Sequence, residues 1–373
     1  MSLQRLKAFL EMDPTNVLLA LDLIEGLAKQ EDFQAALHIV NQSLALNPEH
    51  ADLISWKGHV CLALLEYDKA VQAYHTLFRL GYTQPGLKIN CALAYFQQGK
   101  YEAAHDLLEQ VPELDVANTL LKVRCLAHLE NVSQAIADTY RLLALCSSEQ
   151  HAEVHGLLSL LYLDDAQYEE AEKHCRASLQ LDDNQCDALI TSASLSLYRL
   201  EIETALKVLE PLMKRYPEMG RLLAMKALAL MYVHQYDAAI QWYEKACQKM
   251  PGHVGSRVNL GWCYFSVMNY DGAESCFKAG LKIDRNFAEC YGGLAIVNAI
   301  REKWSDSQDQ FKRALKLDAN CPSALFARAL YFQVKGKAKE AESIMAGLMT
   351  FKSDLSPENL SEVVLKTLMN RRH

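Results

Sequence analysis

Apolar side chains recur along this chain at the spacing of one helical face, in short runs separated by polar breaks, and no stretch alternates in the manner of a strand. The runs come in pairs: an amphipathic helix, a short turn, a second amphipathic helix, another turn. The pairs repeat with a fixed period. Ala-Leu-Asn-Pro ends at Pro48, Lys-Arg-Tyr-Pro at Pro217 and Gln-Lys-Met-Pro at Pro251, the last two 34 residues apart.

Laid out at that period the chain gives blocks 17–50, 51–84, a shortened 85–115, 116–149, 152–185, 186–219, 220–253, 254–287, 288–321 and 322–355. Their twentieth position reads Ala36, Ala70, Ala104, Ala135, Ala171, Ala205, Ala239, Ala273, Ser307 and Ala341. Three residues earlier stand Phe33, Tyr67, Tyr101, Val132, Tyr168, Ile202, Tyr236, Tyr270, Trp304 and Ala338. The eighth position is small too, with Gly58, Ala92, Ala193, Ala227, Gly261, Ala295 and Ala329. Small residues on both helices permit the short interaxial distance of a tight hairpin, and an aromatic at position 17 covers the hinge.

That register resembles the tetratricopeptide repeat family. Block 254–287 shows it best, with Asn259-Leu260-Gly261-Trp262-Cys263-Tyr264, then Asn269-Tyr270-Asp271-Gly272-Ala273, then Phe277 and Gly280. The resemblance spans 17–355 and is similar in kind to bacterial multi-repeat solenoid proteins. It departs from the family at the closing proline, replaced by Tyr82, Ser147, Asp183, Arg285 and Ala319. The fold it implies is an all-α, right-handed α-solenoid (superhelix) of about ten helical hairpins. Residues 1–14 read as an N-terminal half-repeat helix, with Leu3, Leu6 and Leu10 before Asp13-Pro14. Residues 356–373 read as a C-terminal capping helix: Ser356-Pro357-Glu358 opens it and Leu360, Val363, Val364 and Leu368 mark its apolar face.

The family places first helices along a concave surface, so positions 2, 5, 6, 9, 12 and 13 are expected to face a groove. In the first half these are mixed in character, with Trp56, His59, Asn90 and Arg124 as a secondary groove. In the second half they turn apolar: Tyr198, Met225, Met231, Tyr232, Val258, Trp262, Phe265, Ile296, Ile300, Phe326 and Leu330, with Asn259 among them. Large apolar walls mark interaction surfaces, and Tyr, Trp and Met are enriched there. Related superhelical members carry asparagines at position six that hold a peptide backbone, and Asn90 and Asn259 fall there. The basic clamp of chaperone-binding members is not completed, since Ser55, Trp56 and His59 precede Asn90 and Arg124.

Composition narrows the function further. The 373 residues carry a formal net charge of −8 and only 9 prolines and 16 glycines, so a basic footprint for nucleic acid is not expected. No apolar run approaches the ~20 residues of a membrane span, so direct membrane insertion is not expected. The charged N-terminus is no signal peptide, which places the chain in the cytoplasm unless a leader has been removed. Eleven cysteines without a CxxC pair sit at apolar helical positions and read as core residues. His151 and His155 are four apart, but the glutamate between them is misplaced for HExxH, and His174-Cys175 falls at a core position. Neither makes a catalytic case, no phosphate-binding loop appears, and no cofactor or metal is called for. The expected function is therefore that of an interaction scaffold or adaptor for a protein or peptide partner. The alternatives are a self-associating structural protein, the partner then being another copy, or the non-catalytic arm of an enzyme.

Overall fold

The computed structural model describes residues 2–350, and every regular element among them is helical. The capping helix expected over 356–373 lies outside the described residues. The chain divides into two compact units, 1–182 and 183–373. In the first, α1 (Leu3–Met12) precedes α2 (Val17–Lys29), α3 (Phe33–Leu46), α4 (Ala51–Ala63), α5 (Tyr67–Arg79), α6 (Pro85–Gln97), α7 (Tyr101–Glu109), α8 (Val116–His128), α9 (Val132–Leu145), α10 (His151–Asp164) and α11 (Tyr168–Leu181). The second holds α12 (Cys186–Tyr198), α13 (Ile202–Arg215), α14 (Gly220–Tyr232), α15 (Tyr236–Lys249), α16 (Val254–Ser266), α17 (Tyr270–Ile283), α18 (Ala288–Ile300), α19 (Trp304–Leu317), α20 (Pro322–Val334) and α21 (Ala338–Thr350). From α2 on, even-numbered helices are the first of a hairpin and odd-numbered ones the second.

The turn inside each hairpin closes the same way ten times. Position 15 of the repeat, occupied by Glu31, Leu65, Gly99, Glu130, Ala166, Leu200, His234, Met268, Glu302 and Gly336, is left-handed in every case, with φ between 57° and 73°. At Leu65 its N–H donates to the Leu62 carbonyl at 3.0 Å, and the next N–H, of Glu66, reaches back to Cys61 at 2.8 Å. The same pair of bonds recurs in each repeat, and together they form the Schellman closure that satisfies the last carbonyls of a helix. Only two of the ten positions are glycine, so eight repeats hold an ordinary side chain in a conformation that glycine adopts with less strain.

After that turn the second helix starts on the position-17 residue and sinks its position-20 alanine against the first helix. Those alanines are buried throughout, and Ser307, the exception, donates its hydroxyl to the Ala295 carbonyl at 2.8 Å, so it too is satisfied. Position 8 meets position 24 across the hairpin. A Cβ added at Gly58 would stand 2.6 Å from the Tyr74 ring, and one at Gly261 would stand 2.8 Å from Phe277. The glycines therefore make room for large rings that are themselves fully buried, each worth roughly 1.5–3 kcal/mol of apolar transfer.

Between repeats the two helices behave differently. Within each unit the first helices of successive hairpins touch: α2 with α4, α4 with α6, α6 with α8 and α8 with α10, then α12 with α14 and so on to α20. Second helices of successive hairpins make no comparable contact, and each instead wedges against the first helix that follows it. The first helices thus form one continuous layer in each unit. The contact is tightest between α18 and α20, where Gly292 leaves so little room that an added Cβ would fall 1.8 Å from the Ser323 hydroxyl.

Candidate functional site

The first-helix layer of the second unit holds the residues expected to line an apolar groove, and the structure divides them into two sets. Met225, Val258, Trp262, Phe265, Ile296 and Phe326 are buried. Trp262, only 3% exposed, packs edge-on against Phe265 and Phe277, with ring centroids 5.6 and 5.1 Å away, inside a core that also encloses Val258, Ile296 and Phe326. Met225 receives the Ser194 hydroxyl on its sulfur at 3.8 Å, a contact from one first helix to the next. The expectation of an open apolar wall is corrected at these six positions. First helices pack side by side, so these six side chains fill the interior between neighbouring helices instead of standing on the surface. Tyr198, Met231, Tyr232, Asn259, Ile300 and Leu330 are half-buried; Ile300, Leu330 and Met231 rest part of their surface on the core and keep the rest open.

Asn259 has a further task. Its side-chain amide donates to the Tyr243 hydroxyl at 3.1 Å, a group whose surroundings raise its pKa well above the ordinary tyrosine value, chiefly through burial. The asparagine at position six therefore satisfies the tyrosine at position 24 of the preceding repeat. In the first unit Asn90 stands at the same register position, 3.5 Å from His59 Nδ1. His59 is exposed and its ring sits 5.9 Å from that of Trp56, which is half-buried and packs on the core of the first hairpins; Arg124 is half-buried as well.

Sequence spacing paired His151 with His155, but the structure gives His155 another partner. Its Nδ1 lies 2.8 Å from Nδ1 of His174 on the second helix of the same hairpin. The other nitrogen of His174 lies 2.9 Å from the Tyr140 hydroxyl, which accepts from Tyr162 at 3.1 Å. Burial lowers the pKa of both imidazoles, that of His174 to about 4. Their adjacency depends on how α10 faces α11, which sequence spacing along one helix cannot show. Among the described residues no group of three or more His, Cys, Asp or Glu could hold a metal ion. Burial also pushes the thiols of Cys91, Cys263, Cys276, Cys290 and Cys321 up to about 12, so they remain protonated packing groups. No described helix is long and apolar enough to cross a membrane.

Models of the tetratricopeptide repeat match residues 21–79, 152–185 and 230–296. Among curated proteins, BBSome complex member BBS4 of Bos taurus is 20% identical over 311 residues, which cover 83% of this chain and 60% of that protein. A TPR repeat-containing protein of Methanocaldococcus jannaschii is 20% identical over 345 residues, covering 82% of this chain and 57% of its own length. The chain thus spans no more than 60% of the length of these relatives. Among solved structures, an IFIT1 monomeric mutant with Gppp-AAAA is similar in fold at a TM-score of 0.54, with 14% identity and 89% of each chain covered.

Proposed function

Since this chain is a tetratricopeptide repeat protein, we propose that it is an interaction scaffold that holds a helix or extended peptide of a partner protein. The binding face is the first-helix layer of the second unit, over 186–334. One observation carries this reading: a continuous layer of first helices bears half-buried Tyr198, Met231, Tyr232, Ile300 and Leu330 on a packed interior that includes Trp262, Ile296 and Phe326. A well-packed layer with half-buried apolar side chains at its surface suits the burial of apolar anchors from a short segment. Hot spots in such sites cluster around few residues.

The scaffold reading is tested by affinity capture from the native host, comparing the wild type with a Tyr198→Ala, Tyr232→Ala double variant. The expected outcome is a defined partner lost from the variant while helicity and melting temperature hold. Recovery of only this chain, in both cases, replaces the scaffold with a self-associating structural protein. A partner retained by the variant moves the binding face elsewhere.

A further inference from the structure

Glu289 stands in the first turn of α18, at position 2 of its repeat, within the same first-helix layer. Its Oε2 accepts the Ser323 hydroxyl at 2.8 Å and the Cys321 thiol at 3.4 Å, both from the start of α20. From the other side, the Trp262 indole N–H on α16 is directed at the same carboxyl, yet is buried and makes no hydrogen bond of ordinary geometry. Three successive first helices therefore converge on one carboxyl group, carried by a residue that is half-buried as a whole. The charged group that acts on it, Asp318 at the end of α19, is acidic, and among the described residues no lysine, arginine or histidine pairs with it. Asp284 at the end of α17 adds a second acid close by, acting on the adjacent Cys290.

A desolvated carboxylate is stable when it meets a cation and is otherwise driven towards its neutral form. Every donor the protein supplies here is neutral: a hydroxyl, a thiol and an indole. Desolvation accordingly pushes the Glu289 carboxyl up to about 7. The chain builds hydrogen-bond acceptance and a negative potential at this point and leaves the positive charge unsupplied. On the reading that this layer binds a peptide, we propose that Glu289 receives a cationic side chain, lysine or arginine, of the bound partner. When the cation enters, the carboxyl gives up any proton to solvent, Oε2 keeps its bonds to Ser323 and Cys321, and the ammonium or guanidinium completes the pair. An inter-repeat tether with no binding role has no use for the charge, and that difference separates the two roles.

Glu289→Gln keeps an acceptor for Ser323 and removes the charge. Random dodecapeptides displayed on phage are selected near pH 8 on the full chain and on this variant. The wild type is expected to enrich a lysine or arginine at one position among apolar residues, and the variant to lose that preference. Replacing that lysine by norleucine in a selected peptide should weaken binding to the wild type by about tenfold or more and leave the variant unaffected. As a measurement that needs no variant, wild-type affinity for the lysine peptide should fall as pH drops from about 8 to about 6, while the norleucine peptide stays flat. Selected peptides without a basic position, or norleucine peptides that bind as tightly, overturn the role of Glu289 while leaving peptide binding intact. Failure of both proteins to select any peptide overturns the binding face itself, and the inference with it.

Discussion

The histidine pair of the first unit makes its stability depend on pH in a window that begins above the range of ordinary carboxylates. His155 and His174 face each other Nδ1 to Nδ1 across 2.8 Å, so two neutral rings hold one proton between them and a second proton has no acceptor there. The remaining nitrogen of His174 is engaged by Tyr140. Around the pair, His151 and Lys173 add positive potential and Glu170 opposes it, but burial is the largest influence on both rings. His174 is 4% exposed and its pKa falls from 6.5 to about 4. A folded-state value below the unfolded one means that the unfolded chain binds more protons between the two. The stabilisation is therefore fully present above about pH 6.5 and is lost as pH falls towards about 4. At roughly 1.4 kcal/mol for each pKa unit, His174 accounts for about 3 kcal/mol at most across that window. Urea denaturation followed by far-UV circular dichroism between pH 7.5 and 4.5 measures it against His174→Gln, which can still hold the Tyr140 hydroxyl but does not titrate there. The wild type should lose more stability than the variant over the window, and the difference curve removes the carboxylates common to both. Parallel curves for the two proteins would refute the reasoning.

Leu65 and Met268 occupy the left-handed turn position while 69% and 63% exposed, so Leu65→Gly and Met268→Gly remove strain with little packing lost. Each should raise stability by up to about 1 kcal/mol, read as a higher urea midpoint at unchanged m-value. Gly261→Ala drives a methyl group into the Phe277 ring and should lower stability by about 1–3 kcal/mol in the same assay. Trp262→Ala should lose about 3–5 kcal/mol because the ring is core, whereas Leu330→Ala should cost less because that side chain is only half-buried against the same cluster. A Trp262→Ala protein as stable as the wild type would return that side chain to the surface.

The fold was legible because the residues that define it are constrained in size by backbone approach. A helix that packs on its hairpin partner through position 20 admits alanine, or a serine whose hydroxyl finds a carbonyl as Ser307 does, and that restriction prints a period on the sequence. The left-handed turn at position 15 was not legible, although it recurs in all ten repeats. Its geometry is enforced by the two backbone bonds of the closure, which any residue can donate, so Leu, Glu, His, Met and Ala are held there despite the strain and leave no compositional mark. The His155–His174 contact was hidden for a related reason: it joins two helices of a hairpin whose relative rotation no single-helix period encodes.

The candidate binding residues were legible only in part, and the reason bears on what the protein can bind. An apolar residue on a first helix has two destinations, the interior between neighbouring helices or the open face, and periodicity assigns both to one stripe. Trp262 and Phe326 go to the interior, and Met231 and Leu330 stay half-buried. The interior residues make the layer rigid, which lowers the conformational cost of binding but contributes no contact of their own without unpacking. Affinity must then come from the few half-buried side chains and from whatever polar group breaks the layer. In the second unit Glu289 is such a group, and its neutral donors make it a charge-selective feature beside the apolar side chains of the layer. A partner chosen by this surface would be recognised by where its positive charge falls among its apolar anchors, since the apolar anchors alone would fit many helices.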